Sequence, residues 1–271
     1  MERHNRSILG RKEIDIYVPA AKVGVEYNGI YWHTERVKGS STYHYDKWAA
    51  AKAAGVRLVQ IWEDDWQQRP HLVKAALAQA LGVALPPVVL PKYGIQVVNL
   101  KKTEANSWLT AHTLQALDPQ ANTWLGIHNA GAGLVFVIAG RLEDGAVADG
   151  IKQFTLTSHA ATALVPGGLE AVLTYLTVRL GVNKVEALVD NLWADAILFE
   201  RDGFTAVGQA APRFEYVLRA QRYPVTAVTP TLFRKQKKLL WAGKMSVEEL
   251  VDLNGVDRLW DAGYTRMVPT V

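Results

Sequence analysis

Asp15, Glu26 and Asn28 are the residues whose types and spacing could carry chemistry first. Asp15 sits in the alternating run Glu13-Ile-Asp-Ile-Tyr-Val18, and Glu26 in the next run, Lys22-Val-Gly-Val-Glu-Tyr27. Asn28 follows two positions further on the same strand face. If the two runs pair as neighbouring strands, three oxygens converge. Carboxylate and amide oxygens suit a hard cation such as Mg²⁺, which polarises a phosphodiester and acidifies a bound water. The segment Gly29-Ile-Tyr-Trp-His33 adds a histidine able to move a proton. Tyr31 and Trp32 could stack on nucleobases or wedge between them. Glu63, Asp64 and Asp65 form an acidic trio that could join the site or cap an element.

Positioning these residues requires regular elements around them. Glu13–Val18 reads as a half-buried strand closed by Pro19, and Lys22–Tyr27 as a second strand ending at the turn signal Asn28-Gly29. The alanine-rich stretch 43–54, stopped by Gly55, is a helix, Val56–Trp62 an apolar strand, and 70–82 a helix. The order is β-β-α-β-α. Beyond Leu85-Pro86-Pro87, strands are expected near 95–100, 123–127, 133–141, 153–157, 184–190 and 213–219, with helices over 104–114, 168–180 and 192–202. Ser246-Val-Glu-Glu249 has capping-box spacing, so a helix should start there and stop at Asn254-Gly255. Both blocks are mixed α/β.

The 271 residues are 49% hydrophobic and 21% charged, a globular balance far from disorder. No cysteine is present, which excludes disulfides, thiolate zinc sites and cysteine nucleophiles. Neither a signal peptide nor an apolar run long enough to span a bilayer is evident, so no membrane partner and a cytoplasmic location are expected. The net charge of +4 is unevenly spread: residues 1–91 carry +3, 92–220 carry −2 and 221–271 carry +3. Arg234, Lys235, Lys237 and Lys238 cluster in the last segment and could neutralise phosphates. His112, His128 and His159 lack metal-site spacing and read as core or surface residues. No Gly-x-Ser-x-Gly elbow or Walker-type loop appears.

The Asp15/Glu26/Asn28 pattern resembles the nuclease core PD-(D/E)xK, with asparagine at the usual lysine position. More specifically, Asn5-Arg-Ser-Ile-Leu, Glu13–Pro19, Val25–His33, Tyr43-His44, Lys47 and Val59–Trp66 resemble the phage Hef-like homing endonucleases. The nuclease domain of that family is similar to the very-short-patch repair endonuclease. The resemblance implies Asp15 as metal ligand, Glu26 and Asn28 as its active-site companions, His33 as catalytic histidine, and Glu63 and Asp65 as the acidic end of the third strand; Asp15 and Glu26 are expected to hold Mg²⁺, with Glu63 as a further catalytic acid. His44, Asp46 and Lys47 match another family segment, with His44 and Lys47 expected at DNA. Val165-Pro-Gly-Gly-Leu, Asp190, Gly203-Phe204, Pro212–Val217, Phe233-Arg-Lys235 and Arg258–Gly263 resemble the C-terminal half of those proteins, which is acetyltransferase-like. Only four residues precede the Asn-Arg-Ser-Ile-Leu motif, where the family commonly has a helix.

Three segments are therefore expected: an endonuclease domain at 1–85, an acetyltransferase-like α/β domain at 92–222 and a basic DNA-binding arm at 223–271. The expected function is Mg²⁺-dependent endonucleolytic cleavage of double-stranded DNA in a phage-infected bacterial host, with a homodimer or a phage protein as a further partner. The alternative is an impaired nuclease retained as a DNA-binding or partner-binding module. Acetyl transfer ranks last, because Pro166-Gly-Gly-Leu is short for a pyrophosphate-binding turn.

Overall fold

Hydrophobic alternation and glycine punctuation do produce mixed α/β layers. The computed structural model describes all residues except 11, 84–87, 92, 146–149, 194–198, 201, 237, 238, 242 and 271. The proline break at 85–87, Lys237, Lys238 and most of the helix expected over 192–202 lie outside the described residues. The chain divides into two compact units that do not follow chain order. Unit 1 comprises residues 1–82, 191–193 and 211–263; unit 2 comprises 83–190, 194–210 and 264–271. Residues expected to form a separate basic arm are thus shared between the two.

In unit 1, β1 (Glu2–Leu9), β2 (Lys12–Val18), β3 (Val23–Asn28) and β4 (Arg57–Trp62) form a sheet in chain order, antiparallel except for the parallel β3–β4 pair. The crossover between β3 and β4 carries the short α1 (Glu35–Lys38) and α2 (Tyr43–Ala53). Ile14, Ala51, Val56 and Leu58 pack between sheet and helix. Gly24 belongs to this contact, because a Cβ there would meet Leu58 Cδ1 at 3.0 Å. The acidic trio opens α3 (Glu63–Gln68), where carboxylates favour the positive end of the helix dipole, and α4 (Pro70–Ala80) follows.

The second part of unit 1 has β11 (Phe214–Leu218) between β12 (Gln221–Pro224) and β13 (Asp257–Trp260). It is closed by α7 (Pro230–Lys235) and α8 (Val247–Leu253) around Tyr216, Leu218, Phe233, Leu250 and Val251. The expected capping box is present: Ser246 Oγ accepts from Glu249 N–H, and Glu249 Oε2 accepts from Ser246 N–H.

Unit 2 is built on a seven-stranded mixed sheet of order β10-β14-β9-β8-β7-β6-β5. Its strands are β5 (Ile95–Asn99), β6 (Thr123–Asn129), β7 (Gly133–Asp144), β8 (Lys152–Ala161), β9 (Lys184–Asp190), β10 (Phe204–Ala210) and β14 (Tyr264–Pro269). The β8–β9 pair is parallel, joined by α6 (Gly168–Leu180); the other pairs are antiparallel. On one face α6 buries Val172 and Leu176 with Phe154, Leu156 and Val189. On the other, α5 (Lys102–His112) buries Ala105 and Leu109 with Val137, Ala139 and Ala160. No described helix is long and apolar enough to cross a membrane.

Candidate functional site

Of the residues expected to act together, Asp15 and Glu26 meet in unit 1. The β2–β3 ladder ends so that side chains continue it: Asp15 N–H donates to Glu26 Oε1 (3.2 Å), and Tyr27 N–H donates to Asp15 Oδ2 (2.8 Å). Glu26 Oε2 is ion-paired with Lys47 Nζ, reaching in from α2, and both side chains are buried. Glu63 Oε2 accepts from Ile30 N–H at 3.1 Å and so holds the turn after β3. Asn28 is 1% exposed, and its Nδ2 has no hydrogen-bond partner among the described residues. His33 Nδ1 stands 3.4 Å from His44 Nε2, and His44 Nδ1 is 2.7 Å from Gln60 Oε1.

Burial dominates the electrostatics here. It pushes the Glu26 carboxyl up to about 7 although Lys47 pulls the other way. Burial, with His44 nearby, draws His33 down to about 3, and burial draws His44 down to about 4. The folded chain therefore keeps both imidazoles neutral where the unfolded chain protonates, near pH 6.5, so their stabilisation is lost as pH falls below that value. Glu26 has the opposite sign: its folded form holds a proton from about pH 4.5 to 7 that the unfolded chain has released, so acid favours folding over that window. Two losses outweigh one gain. Over pH 4.5–6.5 the His44→Gln protein should lose stability less steeply than the parent, by about 1.4 kcal/mol per pH unit. Urea midpoints across this range measure the slope, and parallel profiles would refute it.

Among the residues expected at DNA, Tyr31 and Trp32 are 63% and 65% exposed on a single 3-10 turn and form an edge-to-face pair. Arg234 and Lys235 lie exposed in the last turn of α7. His44 and Lys47 are buried, with their polar atoms turned to His33, Gln60 and Glu26 instead of to a surface.

Unit 2 holds a second arrangement, which the sequence reading did not find. Along β7–β8, Ala139 opposes Ser158 and Gly140 opposes Leu156, leaving Thr157 as the extra residue of a bulge. The parallel β8–β9 ladder runs from Gln153–Lys184 to Leu156–Ala187 and stops at that point. The bulge bends β8 away, and the two strands part toward their C-terminal ends. Gly140 lies in this corner because a Cβ would come 2.5 Å from Thr155 O. The bulge also switches faces: Phe154 and Leu156 pack on the α6 side, whereas Ala160 packs on the α5 side and the ring of His159 meets Phe199, centroids 4.9 Å apart.

Past the bulge, Thr162 N–H donates to Val135 O on β7, so by alternation the amide of His159 faces away from β7. Gln115, from the loop after α5, supplies its partner: His159 N–H donates to Gln115 Oε1 at 3.1 Å. Gln115 is 6% exposed. Its Nε2 and the Nδ1 of His159 are buried without hydrogen-bond partners among the described residues. Burial draws His159 down to about 4, leaving it neutral at ordinary pH. The N-terminus of α6 has Gly167 at φ +73° and no side-chain cap, with Glu170 in its first turn.

The parallel strands part beside the start of their crossover helix, at their carboxyl ends, which is where open α/β sheets place their crevices. No family model and no curated protein matches the chain. Among solved structures it is similar to Arabidopsis thaliana Naa50 in complex with a bisubstrate analogue, at 16% identity and a TM-score of 0.33, covering 43% of this chain and 86% of that one. It is also similar to a chimera of the Vibrio cholerae spermidine N-acetyltransferase SpeG with hSSAT, at 11% identity and a TM-score of 0.34, covering 65% and 95%.

Neither is a nuclease, and the expectation of a homing-type endonuclease is corrected, together with its PD-(D/E)xK domain and the impaired-nuclease alternative. The Mg²⁺ assignment is corrected with it. No group of three or more histidine, aspartate or glutamate residues capable of holding a metal ion exists among the described residues. The carboxylates expected to ligate it accept from Lys47 and from backbone amides.

Proposed function

We propose that unit 2 is an acyltransferase domain that takes an acyl thioester such as acetyl-coenzyme A as donor. The observation that carries this reading is the parting of β8 and β9 at the Thr157 bulge. An extended, amide-bearing arm can lie along the β8 edge as a strand would, with its reactive tip toward the closed end of the crevice. Such an arm matches the alternating amides of a pantetheine chain. The short turn Pro166-Gly167-Gly168 and the Glu170 carboxylate disfavour a pyrophosphate at the α6 start, so the grip falls on the strand edge.

The chemistry follows from the donor. An amine nitrogen attacks the thioester carbonyl carbon, the C–N bond forms as the C–S bond breaks, and the proton lost by the amine ends on the departing thiol. With no cysteine in the chain, no thiolate can carry an acyl-enzyme intermediate. The same absence leaves a thiol-detecting reagent without background from the protein. Calorimetry with acetyl-coenzyme A should show saturable binding, and thiol release should rise with protein in the presence of a panel of primary amines. No heat at millimolar donor together with no thiol release would overturn this function.

A further inference from the structure

We propose that Gln115 is the polarising residue of this crevice: its Nε2 donates a hydrogen bond to the acyl carbonyl oxygen of the thioester. The inference rests on the acyltransferase reading and deepens it. Four observations meet at this residue. Gln115 comes from a loop, yet it is almost fully buried, which for an amide side chain is costly unless its polar atoms are satisfied. One end is satisfied and fixed, because Oε1 accepts from His159 N–H. The other end, the Nε2 donor, has no partner among the described residues. Finally, the residue it holds lies two positions past the bulge, close to the closed end of the crevice, where the tip of an arm entering from the open end comes to rest.

An amide group anchored through its oxygen is preorganised. Its nitrogen cannot rotate away without breaking the bond to His159, so a donor held at the parted edge of β8 costs little to reorient when carbonyl charge develops. The second buried, partnerless polar atom at this place, Nδ1 of His159, belongs to a ring that packs on Phe199 and stays neutral. It adds a polar contact without adding charge.

The test separates the acyl carbonyl from the rest of the donor by comparing acetyl-coenzyme A with coenzyme A in calorimetry. The unsubstituted chain should bind acetyl-coenzyme A about threefold to tenfold tighter, the worth of one hydrogen bond. Gln115→Glu keeps an acceptor for His159 N–H but removes the donor, and Gln115→Met removes both without adding charge. Each should retain coenzyme A affinity within about twofold and lose the preference. A measurement on the unsubstituted chain stands beside the variants: the carbonyl stretch of acetyl-coenzyme A labelled with carbon-13 at that carbon should fall on binding. Binding of both ligands with no preference and no shift, or a preference that survives both substitutions, overturns the role of Gln115 while the acyltransferase reading stands. Binding of neither ligand overturns both.

Discussion

Replacing Arg222 by methionine should destabilise unit 1 by about 3–5 kcal/mol, the cost of leaving buried charges without their partner. The guanidinium is largely buried, and it donates through Nε to both Asp64 oxygens (3.0 and 2.9 Å) and through Nη2 to Asp65 Oδ2 (2.8 Å). Its Nη1 lies 3.3 Å from Glu215 Oε2, and its plane sits over the Trp62 ring at 5.3 Å. Three carboxylates thus share one cation. They hold its pKa above the ordinary arginine value despite burial, while burial pushes the Glu215 carboxyl up. Arg69 also reaches Asp65, but Asp64 and Glu215 would be left facing each other. Methionine fills the aliphatic volume, so the loss reports charge and not a cavity. A thermal midpoint lower by roughly 10 °C at neutral pH is expected for a domain of this size. The defect should shrink in acid, where the Glu215 carboxyl, pushed up by burial, takes up a proton. A shift under 2 °C would show that the carboxylates find other partners.

Replacing Lys47 by methionine should be nearly as damaging, about 3–4 kcal/mol at pH 8, because it removes the ammonium that neutralises buried Glu26. Without it, desolvation and the nearby Asp15 charge act unopposed by any cation on a carboxyl already pushed up to about 7, and the folded chain must hold a proton there. The cost is therefore largest above pH 7 and smaller near pH 5.5, where Glu26 is protonated in the folded state. The Glu26→Gln/Lys47→Met pair, with no charge to bury, should recover most of the stability. Urea denaturation at the two pH values decides the matter. An equal loss at both, or no recovery in the pair, would mean that packing of the lysine stem and not its charge is what counts.

Local signals carried much of the secondary structure. The helix at 168–180 is framed by Gly167 and Gly181, both at positive φ, and it falls where the glycines predict. The Ser246 capping box is equally local. What was not legible depends on partners distant in the chain. Strand β10 is exposed from Thr205 to Gln209 and shows no alternation; it exists because β14, some sixty residues away, pairs with it. Strands β12 and β13 are four residues each, too short for a period to show.

The candidate sites follow the same rule. The closeness of Asp15 and Glu26 was readable because two adjacent strands had to pair. Lys47 was assigned to a DNA surface because nothing in its helix announces that it turns inward to Glu26. Glu63, read as chemistry, holds a backbone turn. The β8 bulge leaves no sequence signature, so neither His159, read as an ordinary core or surface residue, nor Gln115 could be picked out.

The threading of the chain has a consequence for its synthesis. Unit 2 needs β14 in the interior of its sheet, between β10 and β9, yet that strand comes only at residues 264–269, after the whole 211–263 segment of unit 1 has been laid down. During translation, unit 2 cannot be completed until all of unit 1 has been made. Until β14 leaves the ribosome, β9 and β10 both present unpaired backbone edges that invite pairing with other chains. Closure of the unit 2 sheet is thereby delayed until residues 264–269 have been made, and a chain cut short before them would yield an aggregating product instead of a folded unit 2.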